Sequence, residues 1–355
     1  MFKQFRATQA DILLDHILHN YDEVKKRVGK KVLIPVVKAN AYGHGAIRVT
    51  EALVNHGADI FAVSLLEEAL ELRAVFKDID ILVMGVVDGD GLQVAADNKI
   101  TLTVTSFNQI KNFLELTSPL KIHIKMDTGM HRLGFNDVST VKALLEINHP
   151  NLVIDGIFTH FATADCDEEY YNKQLSLFKD ILEELNYPFD KVHVSNSSAS
   201  IKYESAFDFT THARLGISLY GCTLDENMDF LKETMVFKTK ISHVRKLNKG
   251  DKLGYGITYE ANNDEWIGVL PVGYADGFIR QNQNGYVSIN DKRYQLVGRI
   301  CMDQCFIRID QHVSKEDTVY LFGNGIHIDA VASRLDTINY EVLCVVGERV
   351  PRVYK

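Results

Sequence analysis

The chain alternates short, almost continuously apolar runs with longer stretches of helical period. KVLIPVV (31–37), IFAVS (60–64), ILVMGVV (81–87), TLTVT (101–105), LKIHIKM (120–126), LVIDGIFTHF (152–161), KVHVS (191–195) and ARLGISLY (213–220) form eight such runs, rich in β-branched residues. A strand that is apolar on both faces is one covered on both sides. Between the runs, EEALELRAVF (67–76) and QLSLFKDILEEL (174–185) repeat apolar residues at intervals of three and four, the spacing of an amphipathic helix. Eight strands interleaved with helices predict an α/β fold, a (β/α)8 TIM-type barrel over residues 1–230. After about residue 230 the texture changes. VFKTKISHVRKL, EWIGVLPVG, GYVSIND, YQLVGRI, CFIRI and DTVYLFG read as strands, split by the turn signals NKGD, NQNG and FGNG, with IDAVASRL (328–335) as a late helix. That pattern predicts a C-terminal, mainly antiparallel β domain over residues 231–355.

The barrel reading gives the polar residues near the strand ends a place. Chemistry in such barrels gathers at the C-terminal ends of the strands. Lys38 ends the first strand, Asp127 and Arg132 follow the fifth, His160 ends the sixth, Asn196 and Ser197 end the seventh, and Arg214 lies in the eighth with Gly216 just behind it. Taken singly, each has an ordinary structural reading. A lone strand lysine is usually solvated, serine and asparagine cap turns and helices, and arginine beside aspartate is usually a structural ion pair. Their coincidence on one rim favours chemistry. A lysine driven into an apolar setting loses charge through desolvation, and its neutral amine attacks aldehydes to form a Schiff base. Pyridoxal 5′-phosphate (PLP) is the aldehyde cofactor of amino-acid chemistry. Its phosphate would suit the backbone N–H groups of Gly216 and Ile217 with the hydroxyls of Ser197 and Tyr42.

Composition narrows the classes further. The net charge of −8 and the absence of a Lys/Arg cluster argue against nucleic-acid binding. No run reaches the ~18 apolar residues of a membrane span. The N-terminal MFKQFRATQADILLDH has no apolar signal core, and the five cysteines show no zinc-ligand spacing; these features predict a cytoplasmic protein without a metal centre.

The segments VVKANAYGHG, MDTGMHRLGF, THFATAD, NSSAS, RLGISLYG, GYGITYEA, GYADG, GRICMDQ and INYEV resemble, in order, the motifs of the alanine racemase family, over residues 6 to 353. The resemblance implies a PLP enzyme that interconverts L- and D-alanine for peptidoglycan synthesis, acting as a head-to-tail homodimer. It implies Lys38 as the Schiff-base lysine and the base on the D-alanine side. Tyr255 would be the opposing base, supplied by the partner subunit. Arg214 would donate to the pyridine nitrogen, and His160 would link it to the tyrosine. Arg132 would hold the substrate carboxylate, with the Met302 backbone binding substrate and Asp303 in support. Tyr42, Ser197, Gly216, Ile217 and Tyr340 would bind the phosphate. Lys125 would carry a carbamate that holds Arg132, and Asp165, Tyr274, Arg280 and Arg299 would line the substrate entrance. A serine or broad-specificity racemase of the same family is the near alternative. A PLP decarboxylase and a non-catalytic PLP carrier are the distant ones; the second domain and its GYGITY tyrosine argue against both.

Overall fold

The computed structural model describes residues 5–222 and 228–355 and divides into two compact units. One unit comprises Ile17–Ala41 and Gly45–Lys232; the other gathers the described residues up to His16, then Tyr42–His44 and Glu233–Lys355.

In the first unit eight parallel strands follow one another around a barrel. They are β1 (Val32–Pro35), β2 (Ile60–Val63), β3 (Asp80–Val83), β4 (Thr101–Val104), β5 (Leu120–Lys125), β6 (Leu152–Phe158), β7 (Lys191–His193) and β8 (His212–Leu215). β8 pairs with β1, Val32 opposite His212, and the seam between β1 and β2 is closed by a Val36–Ala62 bridge in which Val37 N donates to Ala62 O at 2.9 Å. Every strand is shorter than the apolar run that predicts it. The leftover residues form the rim: Lys38 opens a helical turn, Lys38–Tyr42, rather than ending a strand, and His160 lies two residues past β6. Two of the outer helices, α1 (Leu66–Val75) and α2 (Glu168–Leu185), lie where helices are predicted, and α2 shows the expected amphipathic stripe. α2 starts where the Asp167 carboxylate accepts from Tyr170 N, and it buries Tyr171, Gln174, Leu175, Phe178, Ile181 and Leu185, a stripe at three- and four-residue spacing.

The second unit is built on a nine-stranded sheet in the order His243–Leu247, Glu265–Leu270, Cys305–Ile309, Lys292–Val297, Tyr286–Ile289, Thr318–Phe322, Met235–Lys240, Gln9–Ile12, Arg352–Tyr354. All of its pairings are antiparallel except that of Gln9–Ile12 with Arg352–Tyr354. Those two strands, and the helix Asn339–Cys344 under INYEV, have no counterpart among the predicted elements. They are too short to carry a period of their own, and pairing makes them strands: Ala10 and Ile12 are buried, while Asp11 is joined to Lys238 across the ladder. Leu247, Leu253, Ala261, Ile267 and Val297 form a local apolar core, with Tyr259 and Phe306 packed on it. No helix among the described residues is long and apolar enough to cross a membrane.

Two glycines fix the GYADG turn. A Cβ on Gly273 would stand 2.3 Å from Cys301 O, and one on Gly277, whose φ is +91°, would stand 2.0 Å from Val345 O. Gly277→Ala therefore adds left-handed strain to a backbone collision, and is expected to cost roughly 2 kcal/mol or more. A fall in the urea midpoint at unchanged m-value checks this.

Candidate active site

A buried guanidinium organises this part of the barrel unit. Arg214, in β8, is 2% exposed. Guanidinium nitrogens only donate, so each neighbour must accept. NH2 donates to Thr159 O (2.9 Å), Val194 O (2.9 Å) and His160 Nδ1 (3.1 Å). NH1 donates to His193 O (3.2 Å) and His193 Nδ1 (2.6 Å). Both imidazoles are thereby compelled to be unprotonated at Nδ1, with the proton on Nε2. Burial, followed by the charge of Arg214, keeps both histidines well below their ordinary pKa, hence neutral. Desolvation also lowers Arg214 to about 9, which still leaves it charged at neutral pH. The bonds described leave Nε uncommitted. Gln174 of α2 fixes the His160 loop, donating to His160 O (3.2 Å) and accepting from Ala162 N (2.9 Å).

Lys38 sits at the start of an unusual turn. Ala39, Asn40, Ala41 and Tyr42 all have φ between 50° and 54°, a left-handed helical turn of L-residues that costs roughly 1–2 kcal/mol per residue. It is pinned at both ends: Ala39 N donates to Glu68 Oε1 (2.6 Å), and the Asn40 side chain accepts from Ala46 N (2.7 Å). Glu68 Oε2 also accepts from Ser64 N and Leu65 N at the head of α1. One carboxylate thus joins the lysine turn to a helix start. In the sequence Glu68 looks like an ordinary helix residue; what marks it is its place at N3 of α1, five residues past the end of β2.

The MDTGMHRLGF segment is a compact loop. Asp127 Oδ1 accepts from Gly129 N and His131 N, both at 3.0 Å, and Phe135 N returns to Lys125 O at 2.8 Å. Gly134, at φ +123°, leaves no room for a Cβ, which would lie 2.8 Å from Lys125 O. The loop holds Arg132 exposed, and among the described residues Arg132 has no ion pair. Lys125, in contrast, is 4% exposed. Desolvation, then the charges of Arg132 and Arg214, lowers its amine to about 8.

Asn196 caps the helix Ser197–Lys202 through Ala199 N, and Ser197 Oγ accepts from Gly216 N (3.0 Å) and Ser218 N (3.3 Å). Two backbone donors thus converge on one oxygen, while the buried Ser218 hydroxyl has no hydrogen-bond partner among the described residues. Asp165 is exposed on this same unit, and its carbonyl accepts from Lys202 Nζ at 3.1 Å.

The β unit gathers the remaining predicted residues. Tyr255, Tyr274, Arg280, Arg299, Met302 and Asp303 line one cleft of about 960 Å³. Tyr255 is 73% exposed, held out between Gly254 (φ +74°) and Gly256 (φ +73°), and a Cβ on Gly256 would meet the Arg299 guanidinium at 2.8 Å. Met302 O accepts from Ala275 N (3.1 Å), and Asp303 is paired with Arg349 (2.7 Å). Elsewhere in the unit, Tyr42 and Tyr340 bring their ring centroids to 6.1 Å.

A (β/α)8 barrel carrying a lysine, two arginines and neutral histidines at its rim is the scaffold of a barrel enzyme. The family described as "Alanine racemase, N-terminal domain" matches residues 12–224, and "Alanine racemase, C-terminal domain" matches 234–354. The chain belongs to the alanine racemase family. It is 41% identical to the alanine racemase of Halalkalibacterium halodurans, over 99% of this chain and 95% of that one. Its structure is similar to that of alanine racemase from E. faecalis, with a TM-score of 0.95, 35% identity and 100% of both chains covered. It is also similar to alanine racemase from Bartonella henselae with covalently bound pyridoxal phosphate, with a TM-score of 0.90, 28% identity and 98% and 99% of the two chains covered.

The lowered Lys125 pKa carries a stability consequence. Below pH 8 the amine is charged in both folded and unfolded chains, and folding bears the full desolvation cost. As pH rises from about 8 toward the ordinary lysine value of ~10.4, the unfolded chain holds the extra proton and the cost fades. Lys125→Met should therefore raise the denaturation midpoint of the cofactor-free protein at pH 7 and lose that advantage by about pH 10.

Proposed function

We infer that this chain is an alanine racemase that interconverts L- and D-alanine with PLP, supplying D-alanine for peptidoglycan in the cytoplasm. We infer also that it works as a homodimer in which each site draws on both subunits. The observation that carries the reading is the arrangement around Arg214: a buried, donor-only cation whose acceptors, among the described residues, are all supplied except at Nε.

The donor set fits the cofactor. Nε of Arg214 would donate to the pyridine nitrogen. The N–H groups that meet at Ser197 Oγ, with Gly216, Ile217, Tyr42 and Tyr340, would hold the phosphate, and Lys38 is the amine for the aldehyde. When bound, PLP withdraws electrons from the Cα–H bond of the substrate. Because a guanidinium does not readily give up its proton, Arg214 would leave the ring nitrogen neutral and restrain that withdrawal, which disfavours transamination.

Racemisation takes a proton from one face of Cα and returns one to the other. Lys38 would serve the D-alanine side and Tyr255 of the partner subunit the L-alanine side. Free tyrosine titrates near 10, a poor match to neutral pH. His160 has its Nδ1 taken by Arg214, so its Nε2–H would be the donor that stabilises a phenolate and brings that pKa down. Arg132 would bind the substrate carboxylate, assisted by the Met302 backbone. A carbamate on Lys125 would place an anion beside Arg132 and fix it, and the lowered pKa of the amine raises the share of the unprotonated form that reacts with CO₂. Tyr255 and Tyr340 would crowd the side chain and favour a methyl group. Asp165, Tyr274, Arg280 and Arg299 would form the entrance, with Asp303 in support.

L-alanine incubated in D₂O should racemise with deuterium at Cα. Release of CO₂ instead would mark a decarboxylase, and neither change would leave a carrier. Lys38→Ala should lose visible cofactor absorbance and activity together, while Tyr255→Ala should keep the absorbance, lose racemisation in both directions because the two enantiomers are equal in free energy, and retain solvent exchange of the Cα proton only from the D-alanine side. Mixing those two inactive dimers should restore about a quarter of wild-type activity, because half the dimers become mixed and each mixed dimer has one intact site of two. No recovery would refute shared sites.

A further inference from the structure

We propose that His193, His123 and Asp155 form a hydrogen-bonded chain through the barrel interior that fixes Arg214 from the opposite end of the barrel. On this proposal His123, Asp155 and Lys191 are positioning residues of the active site. The inference rests on the reading of Arg214 as the group facing the cofactor ring.

The chain begins at the Arg214–His193 contact. His193 Nε2 lies 2.9 Å from His123 Nδ1, and His123 Nε2 lies 3.1 Å from Asp155 Oδ2. Asp155 Oδ2 accepts also from Lys191 Nζ at 2.8 Å, and Lys191 stands 3.8 Å from Asp80 at the N-terminal end of β3. His123, His193 and Asp155 are 1%, 0% and 6% exposed.

The direction of the chain is determined at its two ends. Arg214 only donates, so His193 Nδ1 accepts and its proton is on Nε2. That N–H donates to His123 Nδ1, which puts the proton of His123 also on Nε2, aimed at Asp155. An ionised carboxylate only accepts. The polarity therefore closes without conflict, and both imidazoles must be neutral. Burial favours neutral imidazole at both, and hydrogen bonds from His123 and Lys191 overcome the burial of Asp155 and hold its carboxyl well below the usual range.

The backbone is shaped for this arrangement. Pairing of β5 with β6 runs Ile122 opposite Ile154 and then His123 opposite Gly156, so Asp155 is an extra residue in a β-bulge. Bulges re-aim a side chain and are common beside active sites. Gly156 is needed next to it, since a Cβ there would lie 3.0 Å from His123 Nε2 and 2.6 Å from Lys191 O. Phe158 stacks on His193 at 4.6 Å and 11°, which sets the plane of that ring. Nothing in packing alone requires a bulge, a glycine, two neutral histidines and an ion pair to line up on one arginine.

The test is ¹⁵N NMR of histidine-labelled holoenzyme, with kinetics of the isosteric Asp155→Asn variant. In wild type, His123 and His193 should each show a protonated Nε2 and a bare Nδ1, and neither should titrate while the protein is folded. In Asp155→Asn the His193 signals should shift although residue 155 does not touch that ring. The kcat should drop roughly tenfold with KM within about twofold, the signature of a displaced catalytic partner. Gly156→Ala should shift the same two rings. The proposal is overturned by an Nδ1–H or cationic form of either histidine in wild type. It is equally overturned if the His193 signals stay unmoved in both variants. The spectra need only the folded protein: an inert enzyme with the expected tautomers would sink the racemase reading alone, and an active racemase with the wrong ones would sink the chain alone.

Discussion

Arg214 is a donor-only cation buried from the surface, and much of the barrel rim follows from that constraint. Breaking a buried charged network by removing one partner typically costs roughly 3–5 kcal/mol, so the surroundings have to supply acceptors at fixed positions. Three are backbone carbonyls, of Thr159, His193 and Val194, at the ends of β6 and β7. Two are imidazole nitrogens, each forced into one tautomer. An apolar residue of similar volume would often be as stable or more so. Retention of the charge is understandable if the guanidinium is there for a ligand, and its free Nε is what a ring nitrogen would use.

The lysine is held by a second device of similar logic. Four successive residues at positive φ are expensive, and the expense is met locally. The Glu68 carboxylate collects three backbone N–H groups, one from the turn itself and two from the head of α1. Charge-assisted bonds of this kind contribute roughly 1.5–3 kcal/mol each. In the β unit, the segment just after Lys38's turn is fastened separately: a Cβ on Gly43 would stand 2.6 Å from Leu343 O, and Gly43 O accepts from Arg352 Nε at 2.9 Å. Strain of this sort persists only where the surroundings over-determine it, and here it fixes how the lysine leaves β1.

Most of the barrel was legible because its strands are covered on both faces and so appear as plain apolar runs. The rim residues were legible as exceptions to those runs: Lys38, Arg132, His160 and Arg214 stand out by type and by position. Glu68, His123, His193 and Asp155 did not. Glu68 follows helical spacing, and its unusual partner, Ala39 N, is 29 positions away in the chain. LKIHIKM and KVHVS count among the apolar runs, and nothing in either marks its histidine as the partner of the other. Barrel strands turn alternate residues inward, and layers of the interior are filled from alternate strands. His123 of β5 and His193 of β7 meet in this way, with ring centroids 5.1 Å apart. Asp155 was hidden by its bulge, which breaks the period that sequence reading relies on. The strands Gln9–Ile12 and Arg352–Tyr354 were hidden for another reason, since four- and three-residue strands are specified by their partners and not by their own pattern.

The polar interior of the barrel also bears on why this rim tolerates so many cations. Burial, then the charges of Arg214, Arg132, Lys125 and Lys38, depress His160, and without anions such a cluster of cations would repel itself. Within the unit, Asp127 is spent on its own loop and Asp155 on the far end of the histidine chain. The histidines answer part of the problem by remaining neutral: each takes a bond from Arg214 without adding charge. The rest of the excess is what a phosphate, a substrate carboxylate and a carbamate would neutralise. A site that is over-positive when empty and balanced when loaded binds its ligands partly by relieving its own repulsion, so the electrostatic cost carried by the folded chain becomes affinity for anionic groups.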